Sequence, residues 1–234
     1  MSQLQELSLS VFKRLYQNAV SPSHQNATID KVNKLIRDSI SPPPEKGSLI
    51  MGSVGTGKTS LMAIILRNYL IDIEYRLKSL VDSGKAIIDY DSGYVHVLAT
   101  VDRPDGWQHI ASYASFWYGT QAQLVQTLRN YYMEGEEIQS VGFPPSLIKD
   151  RIFIDDFGRA YSDQAGWNTY LQEEYIDFLW REKIPTYLTT NWTWADMQQC
   201  RSGLKYPTWQ RVADRLCDSA WIGKIEIVGK SLRQ

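Results

Sequence analysis

Two cysteines and three histidines are all that this chain offers toward a metal centre or a disulfide framework. Cys200 and Cys217 form no C-x-x-C pair, and His24, His96 and His109 are scattered. Neither a zinc site nor a disulfide scaffold is expected, and free thiols in a reducing cytosol are the simpler assignment. A membrane-spanning run is also lacking. The most apolar stretch, Leu61 to Ile73, is interrupted by Arg67, Asn68 and Asp72 and is too short to cross a bilayer. Residues 1–16 have neither the apolar core nor the small-residue cleavage site of a secretory signal. Excess charge is absent too: 25 Lys and Arg stand against 26 Asp and Glu. A nucleic-acid or membrane partner would therefore have to be met by a local patch. No internal repeat or low-complexity tract occurs. The expected location is the cytoplasm, with no membrane partner.

What is present suits one α/β domain with a short extension. The 234 residues are 43% hydrophobic and 22% charged, an ordinary globular balance. The clearest punctuation is Ser41-Pro42-Pro43-Pro44, an extended connector that no helix can continue through. Before it, Ile29, Val32, Leu35, Ile36 and Ile40 share one face of an amphipathic helix, with Asp30 near its start. After it, Ser48–Met51 reads as a strand and Ser60–Leu70 as a largely buried helix. Ile152–Ile154 and Thr186–Thr190 read as further strands, with a helix at 167–183 between them. Strands alternating with helices imply a mainly parallel sheet covered on both faces. In the middle, Asp91-Ser92-Gly93 lies between apolar segments and predicts a hairpin near 84–110. Asp89-x-Asp91-x-Gly93 lacks the remaining ligands of a calcium loop and is read as a turn. Ser115–Tyr118 reads as a strand, and 121–132 as a helix with Thr120 as its N-cap. The expected domains are a short extension and helix over 1–46 and a core over 47–234.

Gly52-Ser53-Val54-Gly55-Thr56-Gly57-Lys58-Thr59 fits G-x-x-x-x-G-K-[ST] without a mismatch, followed by Ser60. Glycines let successive N–H groups curl inward around phosphate oxygens, and the loop feeds a helix N-terminus whose dipole favours anions. Lys58 is expected on the β- and γ-phosphates, and the Thr59 hydroxyl on Mg²⁺. The nucleotide is expected to be ATP. Arg151-Ile152-Phe153-Ile154-Asp155-Asp156 is an apolar strand ending in adjacent carboxylates, at the sheet edge where α/β folds place ligands. Asp155 is the candidate to hold Mg²⁺, and Asp156 to orient and polarise the attacking water.

The phosphate loop, the Ile154-Asp155-Asp156-Phe157-Gly158 block, Pro185-Thr186-Tyr187-Leu188-Thr189-Thr190-Asn191 and Arg211-Val212-Ala213-Asp214-Arg215-Leu216 occur in this order. Together they resemble the DnaC/DnaI helicase loaders and the IstB-type transposition helpers, a branch of the AAA+ ATPases. The similarity runs from about Phe12 to the end of the chain. It implies a P-loop fold of AAA+ type and ATP hydrolysis at Walker A and Walker B motifs. By the resemblance, Asn191 matches the polar sensor that contacts the γ-phosphate or the attacking water. Arg211 matches the arginine finger that enters a neighbouring subunit's site, and Arg215, one turn on, is the alternative. A guanidinium suits that task because it is permanently charged and binds phosphate as a fork. Asp156 stands where many AAA+ proteins have Glu. About 20 residues follow Arg211, too few for a C-terminal helical lid, and Arg233 is a further candidate contact.

The resemblance implies self-association through the ATP site, DNA, expected to be single-stranded, and a replicative helicase as partners. A transposase is the alternative partner. A small-molecule kinase and a nucleotide-gated scaffold share the phosphate loop. For DNA, the stretch from Asp196 onward holds seven Lys or Arg against four acids. Trp107, Tyr113, Phe116, Trp117 and Tyr118 fit core packing better than a base-stacking platform.

Overall fold

Buried parallel strands read as continuous apolar runs, as Leu49–Met51 and Ile152–Ile154 do in this chain. The computed structural model describes residues 10–27, 46–84, 86–89, 94–97, 108–109, 115–133, 142–158, 167–204 and 207–227. The expected helix at 29–40, the prolines at 42–44, the turn at 91–93, Trp107, Tyr113 and Arg233 lie outside those residues. The described residues divide into two compact units.

The first unit takes the described residues up to 27 and those from Ala63 to Ser115. Helix α1 (Ser10–Ala19) buries Phe12 and Tyr16, with Val20 just beyond its end continuing the four-residue spacing. Its end is tied to the short α2 (Pro22–Gln25) by Gln25 Nε2, which donates to the carbonyls of Gln17 and Val20 at 3.0 and 2.7 Å. Helix α3 (Lys58–Asp82) starts in the second unit and contributes its remainder here. Leu61 through Leu66 are all fully buried, so this segment is enclosed on every side. The helix runs twelve residues past the expected end at Leu70. There it is laced by i,i+4 pairs, the exposed Arg76 with Asp72 at 2.8 Å and Lys78 with the buried Glu74 at 2.9 Å. Strands β2 (Ala86–Asp89), β3 (Tyr94–Val97) and β4 (Gln108–His109) form an antiparallel sheet in that order. β2 and β3 pair antiparallel, with Asp89 opposite Tyr94.

The second unit is built on a five-stranded, all-parallel sheet. Its strands are β1 (Gly47–Gly52), β5 (Phe116–Thr120), β6 (Arg151–Phe157), β7 (Thr186–Thr190) and β8 (Ile222–Ile227). Their order across the sheet is β5-β6-β7-β1-β8. Helix α4 (Gln121–Met133) links β5 to β6, and α5 (Trp167–Arg181) links β6 to β7. Helices α6 (Trp194–Arg201) and α7 (Gln210–Leu216) carry the chain from β7 to β8. Thr120 caps α4 as expected: Gln123 N–H donates to Thr120 Oγ1 at 3.3 Å, and Thr120 N–H donates to Gln123 Oε1 at 2.7 Å. Thr193 and Asp196 form the same reciprocal cap on α6.

The core includes Leu49 and Met51 of β1, Ile152 and Ile154 of β6, Leu188 of β7, and Tyr175, Ile176 and Leu179 of α5. Each aliphatic side chain removed from water in this way contributes roughly 1.5–3 kcal/mol. Register aligns Tyr118, Phe153 and Tyr187 on three neighbouring strands, and their rings form a ladder. Phe153 stacks on Tyr187 at 4.6 Å and on Tyr118 at 6.1 Å, with Phe116 edge-on at 6.3 Å. Phe116 and Tyr118 are thus engaged in packing, as the spacing favoured.

Strands β1 and β7 are neighbours, yet within this sheet their chains continue to opposite edges, to β5 and to β8. The crevice at the carboxyl ends of such a pair is where open α/β sheets bind ligands.

Candidate functional site

Three strand ends converge on that crevice. β1 delivers the glycine-rich loop, β6 the two acids and β7 Asn191. The loop makes its turn at Gly55 (φ 82°) and Gly57 (φ 89°), a left-handed backbone that side chains rarely adopt. Thr56 Oγ1 braces it by donating to the Ser53 carbonyl at 2.9 Å. Lys58, almost fully buried, opens α3 and turns its ammonium back into the loop. It donates to the carbonyls of Gly52 and Ser53 at 2.9 and 2.8 Å and to Asn191 Oδ1 at 2.8 Å. A phosphate oxygen accepts from an ammonium more strongly than these neutral oxygens do.

Beside it, Thr59 Oγ1 donates to both carboxylate oxygens of Asp155, at 3.1 and 3.0 Å. Asn191 Nδ2 reaches Asp156 Oδ1 at 3.4 Å. Lys58, Asn191 and Asp156 are thus joined in one hydrogen-bonded group and Thr59 and Asp155 in another, and Thr189 links the two. The hydroxyl and carboxylate beside each other are hard oxygen donors of the kind Mg²⁺ prefers, so these residues fit that ion. Gly52, Ser53, Val54, Gly55, Thr56 and Gly57 form the loop itself, and Ser60 follows on α3.

Asp156 has φ 58°, a conformation costly for most side chains but tolerated by Asp and Asn. A Glu here would meet a strain that Asp largely avoids.

Two residues of the site were missed from sequence. Thr189 Oγ1 accepts from the Asp156 N–H at 2.9 Å and donates to Asp155 Oδ1. Its signal was modest: a polar residue two positions before Asn191, on the same strand face. Gln121 Oε1 accepts from the Gly158 N–H at 3.1 Å, and its amide donates to Gln172 of α5 at 2.7 Å. Nothing local in sequence marks that buried pair.

Arg211 is not part of this hydrogen-bonded group. On α7, about half exposed, it pairs with Glu174 at 3.1 Å and Asp177 at 3.3 Å on α5. It also lines an open cleft of about 610 Å³ with Tyr170, Glu173, Arg201 and Gln210. Burial raises the Glu173 carboxyl above its ordinary range, against the opposing pull of the Arg211 charge. Arg215 is more deeply held. It donates to Asp177 at 2.9 Å and Asp214 at 3.3 Å, and its guanidinium lies 4.0 Å over the Trp180 ring. Arg201 pairs with Asp214 at 2.9 Å, and Lys224 with Glu226 at 3.3 Å. Each of these four cations of the C-terminal stretch thus has an acid beside it. Neither Cys200 nor Cys217 is in a disulfide, and burial pushes the Cys200 thiol up to about 11. Among the described residues no group of three or more His, Cys, Asp and Glu is placed to hold a metal, and no helix is long and apolar enough to cross a membrane.

No family model matches the chain, and no curated protein is similar to it by sequence. Among solved structures it is similar to the DnaC helicase loader, with 17% identity over 92% of this chain and 99% of that one, TM-score 0.49. It is similar also to DnaI, with 17% identity over 89% and 95% and a TM-score of 0.46. The replication initiator DnaA, bound to AMPPCP and single-stranded DNA, has 13% identity over 90% of this chain and 51% of its own, TM-score 0.48.

Proposed function

We propose that the chain is a magnesium-dependent ATP hydrolase of AAA+ type, completed by a neighbouring copy of itself, that works on DNA as a helicase loader. The convergence of Lys58, Asn191 and Asp156 at one strand edge, with Thr59 and Asp155 alongside, carries the hydrolase part. In this mechanism the loop N–H groups and Lys58 bind the β- and γ-phosphates and take up their charge. Thr59 and Asp155 would hold Mg²⁺, which when bound would supply neutralisation of the phosphate charge. Asp156 accepts a proton from the attacking water, and Asn191 orients that water or the γ-phosphate through its amide.

The partner assignment rests on the four ordered sequence motifs. Arg211 is the residue proposed to cross into the adjacent site. It is the more exposed of the two candidate arginines; its pair with the partly exposed Glu174 is weak enough to exchange, and the buried Asp177 keeps Arg181 and Arg215 when Arg211 leaves. Phosphate release measured over a range of protein concentrations tests this. Activity per subunit is expected to rise with concentration, and to rise again with single-stranded DNA. A rate independent of both would remove the assembly and the DNA from the account. The transposition-helper alternative uses the same site, and stronger stimulation by duplex DNA would favour it.

A further inference from the structure

Two residues of β6 stand opposite one residue of β7. Ile154 pairs with Leu188 and Phe157 with Thr190, which leaves Asp155 and Asp156 facing Thr189 alone. Such a bulge re-aims side chains and is a device found beside active sites. Here Asp156 absorbs the extra residue through its left-handed backbone, φ 58°.

The bulge leaves the Asp156 N–H outside the ladder, and a buried donor needs an acceptor. Thr189, only 1% exposed, supplies one at 2.9 Å. An N–H can only donate, so the hydroxyl uses a lone pair there and keeps its own proton for Asp155 Oδ1. The same carboxylate accepts from Thr59 at 3.0 and 3.1 Å. One hydroxyl therefore holds both the bend that separates the two acids and the orientation of the first.

We infer that Thr189 is the positioning residue of the metal-facing carboxylate: it locks Asp155 toward Thr59 and thereby sets the affinity for Mg²⁺ in the nucleotide complex. This rests on the magnesium–ATP reading of the site. Serine at 189 retains the hydroxyl, whereas valine keeps the shape and removes it. Without the hydroxyl, Asp155 loses its bond from Thr189 while keeping those from Thr59, and the Asp156 N–H loses the acceptor at 2.9 Å. Partners that orient a metal-binding carboxylate typically change metal affinity by about 10- to 100-fold.

The test is equilibrium binding of a fluorescent ATP analogue, first in EDTA and then across a Mg²⁺ titration. Thr189→Val is expected to match the wild type in EDTA, because Lys58 and the loop are untouched. Its Mg²⁺ midpoint is expected to rise by about tenfold or more. Thr189→Ser is expected to restore the wild-type midpoint. Should the valine variant fail to give a cooperative thermal melt, Thr189→Ala is read in the same way. A valine or alanine variant with the wild-type Mg²⁺ midpoint overturns the positioning role while leaving the nucleotide site standing. A wild-type protein that does not bind the analogue overturns both.

Discussion

Lys58 donates a 2.8 Å hydrogen bond to the side-chain oxygen of Asn191, joining residues 133 positions apart. An ammonium only donates, so this contact fixes the Asn191 amide with its oxygen toward Lys58 and its NH₂ toward Asp156. The first side chain of α3 and the residue after β7 are thereby set in one geometry with the acids of β6. Asn191→Ala removes the orienting amide and one Lys58 contact, and leaves the Lys58 bonds to the Gly52 and Ser53 carbonyls in place. ATP binding is expected to persist, while kcat falls by about 10²-fold, in the range of a lost positioned polar group. Parallel binding and single-turnover measurements check this. Equal losses in both would contradict it.

Arg211 and Arg215 are expected to separate by stability. Arg215 is 26% exposed, stacked on Trp180 and bonded to Asp177 and Asp214. Arg215→Ala should cost about 1–3 kcal/mol in a denaturant titration, because it breaks partly buried charged hydrogen bonds. Arg211→Ala, at a 47% exposed position, should stay within about 1 kcal/mol.

Arg211→Ala should also bind ATP yet hydrolyse it poorly. Mixed with Lys58→Ala, it is expected to regain activity, since one interface then has an intact site facing an intact arginine. No recovery at any ratio, with assembly verified by light scattering, would contradict the shared site.

At Asp156, φ 58° predicts an unusual split between stability and activity. Asp156→Ala places an ordinary side chain in the left-handed region and should lose about 1 kcal/mol. Asp156→Gly is free of that strain and should match or exceed the wild type in stability. Both should lose hydrolysis, measured as phosphate release, because both lack the carboxylate. If glycine were as destabilising as alanine, the backbone argument would fail.

The phosphate loop and the Asp155-Asp156 pair were legible in sequence because their chemistry demands a fixed local spacing. So were the strand at 186–190 and the α4 cap at Thr120, which depend on neighbours in the chain. The second half of α3 was not, because 71–82 alternates apolar and charged residues, and its i,i+4 salt bridges include one to the buried Glu74. Strand β8 escaped as well. Its burial alternates weakly at a sheet edge, and only pairing with β1 identifies it. Thr189 and Gln121 act through contacts 34 and 37 positions away, across strands, which no local pattern encodes.

The account depends most on ATP being cleaved at the loop that ends β1. Phosphate release by the purified wild type should require Mg²⁺ and vanish in Lys58→Ala together with nucleotide binding. Release by Lys58→Ala at the wild-type rate would contradict it.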